Sequence, residues 1–324
     1  MPHAIRFDQP GGPDVLKWQE VEVGHPSKGE VRLRHTAVGL NYIDVYHRTG
    51  LYPAPLPAIP GLEAAGVVTA VGEAVNDLVV GDRVAYASGP LGAYAEERIM
   101  PADRVVKLPN TISDEQGAAM MLQGLTAQYL LRRTYPVKAG DTILVHAAAG
   151  GVGLILCQWA KYLGVKVIGT VGSEEKAELA RQFGCDYPIV YTKEDFHQRV
   201  MEITNGQKVP VVYDSVGKDT FMKSLDCLAP LGLLVLFGQS SGNVPPFDLG
   251  QLSVKGSLFI TRPTLATYTA KREDLVAGAQ ELFDVVGKGI VKINVNQRYP
   301  LKDAAQAHRD LEARKTTGST IFTV

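Results

Sequence analysis

The sequence predicts an α/β protein, a doubly wound parallel sheet joined to a smaller β-rich domain. Three observations carry this prediction. Between residues 142 and 260, apolar runs of strand length alternate with helical patterns. The first of those runs enters a glycine-rich turn that opens directly into a helix. Residues 1–110, by contrast, show only short β runs broken by glycine and proline.

Taken in order, residues 31–38 (Val-Arg-Leu-Arg-His-Thr-Ala-Val) alternate as a half-buried strand does, and residues 66–72 and 82–86 read as two more. No strand–helix repeat occurs in this part, which suits a small twisted barrel. Ser113-Asp114-Glu115-Gln116 has the capping-box pattern and opens a helix rich in Ala, Met and Leu. A further helix is expected over 126–133. The run 142–149 then makes the first strand of the parallel sheet, and Val152, Ile155, Leu156, Trp159 and Leu163 follow at helical spacing. Strands are expected at 165–171, 187–191, 210–216, 232–238 and 257–260, with a helix at 194–203. Beyond them the pattern gives a helix at 272–286, a strand at 291–295, a helix at 301–313, and a strand at 319–324 that returns to the first domain.

The turn Ala149-Gly150-Gly151-Val152-Gly153 identifies the chemistry of the sheet. A Cβ there would hold a phosphate away from backbone N–H groups, which with the positive end of the helix dipole form an anion site. The spacing departs from plain G-x-G-x-x-G, and a glycine turn can also serve chain geometry alone. The second strand arriving at βαβ separation favours the pyrophosphate cradle of a dinucleotide. About 20 residues past the glycines, an NAD site carries an acidic residue for the ribose 2′-hydroxyl. This chain has Gly172-Ser173, with Lys176 one turn on. A small hydroxyl residue and an ammonium accept a 2′-phosphate, each charge-assisted contact being worth roughly 1.5–3 kcal/mol, so the expected cofactor is NADPH. The competing reading of Lys176 is a helix-surface residue paired with Glu174 or Glu175.

Composition limits the alternatives. The chain's 324 residues suffice for two cores, and a net charge of −1 without a basic run marks neither a nucleic-acid nor a membrane surface. No stretch approaches the roughly 20 apolar residues of a membrane span, and the first residues lack the apolar core of a signal peptide. Cytoplasm is the default expectation. Cys157, Cys185 and Cys227 are odd in number and far apart, suggesting neither a disulfide framework nor a zinc cluster.

The chain resembles the medium-chain dehydrogenases/reductases, and among them the zinc-free quinone oxidoreductase (ζ-crystallin-like) branch. The resemblance rests on Gly11-Gly12-Pro13 with Val15-Leu16, residues 38–44 (Val-Gly-Leu-Asn-Tyr-Ile-Asp), residues 60–68 (Pro-Gly-Leu-Glu-Ala-Ala-Gly-Val-Val), Gly81-Asp82-Arg83-Val84, Ala148-Ala149-Gly150-Gly151-Val152-Gly153 and Arg262-Pro263. It implies a GroES-like catalytic domain over 1–124, completed by 269–324, and a Rossmann domain with six parallel strands over 125–268. It also implies NADPH, and a homodimer in which the Rossmann sheets join at their last strands. Zinc members of the superfamily have Cys where this chain has Asn41 and His where it has Leu62. Neither replacement is a zinc ligand. Without a metal to hold an alkoxide, an electron-poor quinone or enone is a better substrate than an alcohol. Direct hydride transfer in the cleft between domains, without zinc, is the expected reaction.

Asn41 would hydrogen-bond the acceptor or the nicotinamide ribose, or else form an Asx turn. Tyr46 and Tyr52 would sandwich a flat ring and supply a proton, or else serve the core or rim. The resemblance gives Thr126 a nicotinamide contact, the bland alternative being an N-cap. It gives Tyr191 a place beside Lys176 at the adenosine phosphate. Ser215 ends the fourth strand on the ligand edge, and Phe237, Gly238, Ser240 and Ser241 would cover the nicotinamide end. Arg262 and Leu265 follow the sixth strand, and the resemblance places Arg262 and Arg314 on the cofactor, against a surface role for each. His47 is expected at the surface, and Glu63 is expected to be structural. An enone double-bond reductase is the alternative enzyme. An NADPH-binding crystallin-like or RNA-binding protein is the alternative class, against which the lack of a basic stripe counts.

Overall fold

A computed structural model describes residues 1–324. In chain order the elements are β1 (His3–Arg6), β2 (Lys17–Glu20), β3 (Glu30–Leu40), α1 (Tyr42–Thr49), β4 (Glu63–Val71), β5 (Arg83–Ala87), β6 (Glu97–Pro101), β7 (Val106–Lys107) and α2 (Asp114–Tyr129). The α/β part follows with β8 (Thr142–Val145), α3 (Gly151–Tyr162), β9 (Lys166–Val171), α4 (Glu174–Gln182), β10 (Tyr187–Val190), α5 (Phe196–Ile203), β11 (Val209–Asp214), α6 (Phe221–Asp226), β12 (Leu228–Leu236), α7 (Gly250–Val254) and β13 (Phe259–Thr261). The chain ends with α8 (Leu265–Tyr268), α9 (Arg272–Gly287), β14 (Val295–Pro300), α10 (Ala304–Glu312) and β15 (Ser319–Thr323). The chain divides into two compact units: Met1–Leu125 with Tyr268–Gly287 and Ile293–Val324, and Thr126–Thr267 with Lys288–Lys292.

The second unit holds a six-stranded sheet in the order β10-β9-β8-β11-β12-β13, with every pairing parallel. This is the doubly wound arrangement, and strand order reverses between β8 and β11, beside the glycine turn. The uninterrupted apolar sequence of β8 is explained by burial on both faces, since Ile143, Leu144 and Val145 have no exposed surface.

The first unit is built on β3. Eleven residues long, it pairs with β4 along one edge, and its other edge takes β6 along its first half and β15 along its last. The resulting seven-stranded sheet has the order β14-β15-β3-β4-β5-β7, with β6 on β3. Val31, Leu33 and Val38 face a core that includes Tyr86, Tyr94, Met100 and Phe322. The last strand, read from sequence as returning to the first domain, does so by pairing Thr320–Thr323 with Ala37–Leu40.

Two expected elements are corrected. The helix expected over 126–133 is not separate: α2 runs unbroken through Thr126 and ends in a π-helical turn at Leu130–Thr134. Within α2 a Cβ on Gly124 would lie 2.6 Å from Leu282 of α9, so the glycine permits close helix packing. The strand expected at 291–295 forms instead at Val295–Pro300. Lys292 gives its N–H to Oε1 of Gln158 and receives Nε2 of the same side chain, at 2.8 and 3.1 Å. That alternating stretch therefore spends its backbone on a side chain of α3. The capping box at Ser113 forms as read, with Ser113 and Gln116 exchanging side-chain-to-backbone bonds of 3.0 and 3.2 Å.

Candidate active site

Asn41 lies between β3 and α1, with extended backbone at the helix N-cap. Its Nδ2 donates to Oε2 of Glu63 at 2.6 Å, and its Oδ1 receives Nε2 of Gln123 at 3.1 Å. The amide therefore reaches across to β4 and α2. Glu63, without exposed surface, also accepts the N–H of Leu122 at 2.7 Å. Burial pushes its carboxyl up to about 8, against those two bonds. Gln123 in turn accepts the hydroxyl of Ser319 at 2.7 Å.

A second buried chain fixes α1. Asp44 accepts the N–H of Asn41 and the hydroxyl of Tyr94, each at 2.9 Å, while its other oxygen has no partner. Burial lifts this carboxyl to about 7, opposed by the same two bonds. Tyr94 meets Nε2 of His308 at 3.1 Å, and Nδ1 of His308 meets Arg48 at 3.2 Å. Because the Tyr94 proton goes to Asp44, His308 must donate from Nε2 and accept at Nδ1, which makes it neutral. Its pKa, held down to about 3 by burial and then by Arg48, agrees. Arg48, buried under α10, forms a two-bond pair with Glu312 at 2.8 and 2.9 Å.

On α1 the rings of Tyr42 and Tyr46 have centroids 5.4 Å apart, and those of Tyr46 and Tyr52 are 5.1 Å apart. Tyr46 is buried and Tyr52 half-buried. Tyr42 completes a row that the sequence reading began at Tyr46; its i, i+4 spacing to Tyr46 was the available signal. His47, expected at the surface, is half-buried with its ring edge-on to Tyr52. Burial lowers its pKa.

In the second unit, β8 ends at Val145, Ala147 adopts a left-handed φ of 54°, and α3 begins after Gly150 with no side-chain cap. The first helical bond runs from Leu154 N–H to Gly150 O. The N–H groups of Gly151, Val152 and Gly153 thus have no acceptor within the helix, and Gly151 and Val152 are half-exposed. A Cβ on Gly153 would fall 2.7 Å from the Ala148 carbonyl, so only glycine lets the helix approach its strand. These donors fit a bound pyrophosphate.

At the end of β9, Ser173 caps α4 by accepting the Lys176 N–H at 3.3 Å. A Cβ on Gly172 would stand 3.0 Å from the Tyr191 hydroxyl, so Gly172, Ser173, Lys176 and Tyr191 share one corner. Glu174 is paired with Lys193 at 2.8 Å. No carboxylate occupies 172 or 173.

Asp214, without exposed surface, organises the end of β11. One oxygen accepts the N–H groups of Val216 and Gly217 at 2.8 and 3.1 Å, and the other accepts the hydroxyls of Thr220 and Ser224 at 2.7 and 3.2 Å. His146, its pKa lowered by burial, bridges Thr170 and Ser224 at 2.8 and 2.9 Å. The turn carrying Ser215 is fixed from beneath. Ser240 N–H bonds Ser215 O, and Gly238 packs on the same carbonyl. Ser241 gives its hydroxyl to Val216 O and accepts Asp219 N–H, at 2.8 and 3.0 Å, which ties the loop down. Phe237 follows β12 half-exposed, Arg262 donates to Leu236 O at 3.0 Å, and Leu265 starts α8 half-buried.

Gly150–Gly153, the Gly172 corner, Ser215, Phe237, Gly238, Ser240, Ser241 and Arg262 all follow C-terminal strand ends of the six-stranded sheet, the edge where ligands bind in this fold. Thr126 is buried inside α2 rather than at a helix start. Asn41, Tyr46, Tyr52 and Arg314 belong to the first unit, where Arg314 is exposed after α10 with a left-handed φ of 59°. Gln123, Ser319 and Asp214 were missed. The first two meet Asn41's network from 82 and 196 residues away, across separations that leave no sequence signal.

Comparison with known proteins defines the class first. Residues 27–110 match the alcohol dehydrogenase GroES-like domain, and residues 151–274 match the zinc-binding dehydrogenase family. These are the paired domains of the medium-chain dehydrogenases/reductases. A quinone oxidoreductase of Pseudomonas aeruginosa is 56% identical over 323 residues, covering 99% of each chain. The crystal structure of Escherichia coli quinone oxidoreductase complexed with NADPH matches with a TM-score of 0.98 at 50% identity, covering 99% of this chain and 100% of that one. A 2-haloacrylate reductase of a Burkholderia species is 49% identical over 320 residues, 96% of each chain. The chain belongs to the quinone oxidoreductase family of the medium-chain dehydrogenases/reductases.

The zinc in one family's description does not fit the residues present. Asn41 offers an amide and Leu62 an alkyl group where zinc members have a thiolate and an imidazole. No group of three or more His, Cys, Asp or Glu side chains suited to a metal gathers in the chain.

Proposed function

We propose that this chain is an NADPH-dependent quinone reductase that passes a hydride directly to a flat, electron-poor acceptor without zinc. The observation that carries the reading is the corner at the end of β9, where Gly172 and the capping Ser173 replace an acidic residue beside Lys176 and Tyr191. The NADPH-bound relative and the quinone oxidoreductase relatives support it. When bound, the dihydronicotinamide supplies the hydride.

The chain's own residues do the rest. The free N–H groups at the start of α3 hold the pyrophosphate, and Ser173, Lys176 and Tyr191 hold the 2′-phosphate. Thr126, Ser215, Phe237, Gly238, Ser240, Ser241, Arg262, Leu265 and Arg314 complete the cofactor contacts, and Asn41 offers its one remaining N–H to the nicotinamide ribose or to the acceptor. Tyr46 and Tyr52 orient the acceptor ring, and Asn41 donates to an acceptor oxygen as negative charge grows there. A quinone already spreads that charge over its π-system, so a hydrogen bond suffices where an alcohol would need a metal. The Tyr52 hydroxyl or solvent then protonates the reduced oxygen.

A second reading, reduction of an activated carbon–carbon double bond, is favoured by the 2-haloacrylate reductase relative. It uses the same cofactor residues and differs only in the acceptor. We also propose a homodimer joined at β13, an edge strand of the six-stranded sheet. Exposed Phe259 lies on that strand, and exposed Val254 and Leu231 lie close by in the chain, the latter bonded to Gly256. No helix is long and apolar enough to cross a membrane, and a cytoplasmic location is proposed.

The test is NADPH oxidation by chelator-treated protein with a simple quinone and a simple enone in parallel, and NADH as control. Faster quinone turnover with NADPH preferred and no chelator effect is expected. Enone preference would move the substrate to the second reading. Tight NADPH binding without turnover on either would refute both.

A further inference from the structure

We propose that Glu63, Gln123 and Ser319 are positioning residues that fix which end of the Asn41 carboxamide faces each neighbour, leaving one Nδ2 hydrogen for the oxygen of a bound ligand. The proposal rests on the functional reading above for its consequence in catalysis, but its geometry stands apart from it.

A carboxamide can flip end for end, and only its hydrogen-bond partners decide which end is which. Here the partners form one directed chain. Ser319 donates to Gln123 Oε1, Gln123 Nε2 donates to Asn41 Oδ1, and Asn41 Nδ2 donates to Glu63 Oε2. The remaining Glu63 oxygen is taken by Leu122 N–H. Every donor in this run points toward Glu63, whose two oxygens both accept in the ionised form that prevails above its raised pKa of about 8. All four side chains are at most 7% exposed, so water cannot substitute for a wrong orientation. The members come from β15, α2, the start of α1 and β4, and four separate elements thus converge on one amide.

An amide nitrogen carries two hydrogens, and Glu63 uses one. The structure gives Asn41 Nδ2 no further acceptor within the protein, so its second N–H is the group it can offer. A flipped amide would present a carbonyl lone pair instead, which repels an oxygen gaining negative charge. The chain also predicts how the flip can be forced. Glu63→Gln keeps an oxygen for Leu122 N–H, so its NH2 must face Asn41, where a donor would then meet a donor. Adding Gln123→Glu satisfies that arrangement with the two links through Asn41 reversed: Gln at 63 donates to Asn41 Oδ1, and Asn41 Nδ2 donates to Glu at 123, which still accepts from Ser319. The double variant therefore restores hydrogen bonding while leaving Asn41 turned the wrong way.

The experiment, carried out above the Glu63 pKa of about 8, measures thermal stability, NADPH affinity by fluorescence, and kcat and KM for a simple quinone in wild type, Glu63→Gln and the double variant. Glu63→Gln is expected to lower Tm and to cost about 100-fold or more, the scale of one lost donor at a developing charge. If the ligand oxygen is the acceptor's, the loss is in kcat; if it is the nicotinamide ribose's, the loss is in NADPH affinity. The double variant should regain Tm without regaining that loss. Recovery of activity and affinity together with Tm would reduce these residues to a packing role and overturn the proposal. So would variants within threefold of wild type on every ligand measure.

Neutron diffraction of the deuterated wild-type protein reads the orientation without turnover. Two deuterons on the Asn41 atom facing Glu63 are expected, and an oxygen there would refute the proposal even if quinone were not the acceptor. Conversely, a wild type that turns over no quinone but shows this orientation would sink the functional reading alone.

Discussion

Ser173→Asp places a carboxylate at the end of β9, where an NAD-type site carries its acidic residue. The substitution isolates cofactor choice from stability. Ser173 caps α4 through its side-chain oxygen, with extended backbone. Asp and Ser are nearly equal N-caps, and an added negative charge at a helix N-terminus is mildly stabilising. The fold should therefore be unchanged within a few tenths of a kcal/mol. The 2′-phosphate, however, loses a hydroxyl contact and gains a repulsive neighbour. A charge-assisted contact is worth roughly 1.5–3 kcal/mol, which corresponds to about 10- to 150-fold in affinity. The assay compares KM for NADPH and NADH at a fixed quinone concentration, with Tm alongside. The expected result is an NADPH KM raised by that factor, an NADH KM unchanged or lowered, and an unchanged Tm. An unaltered NADPH-to-NADH ratio at unchanged Tm would show that the 2′-phosphate does not sit at this corner, and would remove the basis of the NADPH assignment.

Three further outcomes are expected. Gly153→Ala drives a methyl group into the Ala148 carbonyl and should cost about 1–3 kcal/mol, seen as a lower denaturation midpoint with weakened cofactor binding. Phe259→Asp puts a charge on the exposed edge of β13 and should turn a dimer into a monomer by light scattering, without loss of NADPH binding per chain. The contribution of two buried histidines to stability should fall on acidification. His35 and His308 are buried, and burial holds their pKa values at about 4 and about 3, below the ordinary 6.5. Between those values and 6.5 the unfolded chain binds protons that these folded imidazoles refuse, so their contribution is lost as pH drops from 6.5, while the raised carboxyls of Asp44 and Glu63 work the other way. Thermal denaturation across pH 4–7 of wild type beside the His35→Gln, His308→Gln double variant checks this: wild-type Tm minus variant Tm should fall as the pH is lowered, and a constant difference would refute it.

How much was legible in the sequence depended on the range of the interaction. The sheet of the second unit was visible because burial on both faces demands apolar runs such as Ile143-Leu144-Val145, and the turn at Gly150–Gly153 was visible because close approach demands glycine. The corner at Gly172-Ser173 was legible as a missing carboxylate at a fixed distance from that turn. Where local pattern misled, a tertiary partner had intervened. The alternation over 291–295 is spent on Gln158, and the helix expected to begin at Thr126 is continuous with α2, whose Gly124 admits Leu282.

By itself, then, the sequence determined what is local or periodic: the order of the strands, the anion-binding turn, and the absence of thiolate and imidazole at Asn41 and Leu62. Only the tertiary structure decided what Asn41 touches. Its partners Glu63 and Gln123 are 22 and 82 residues away along the chain, and Ser319, which holds Gln123, is 196 residues beyond Gln123. Hydrogen bonds between such residues follow from how sheets and helices pack, and no spacing rule along the chain encodes them.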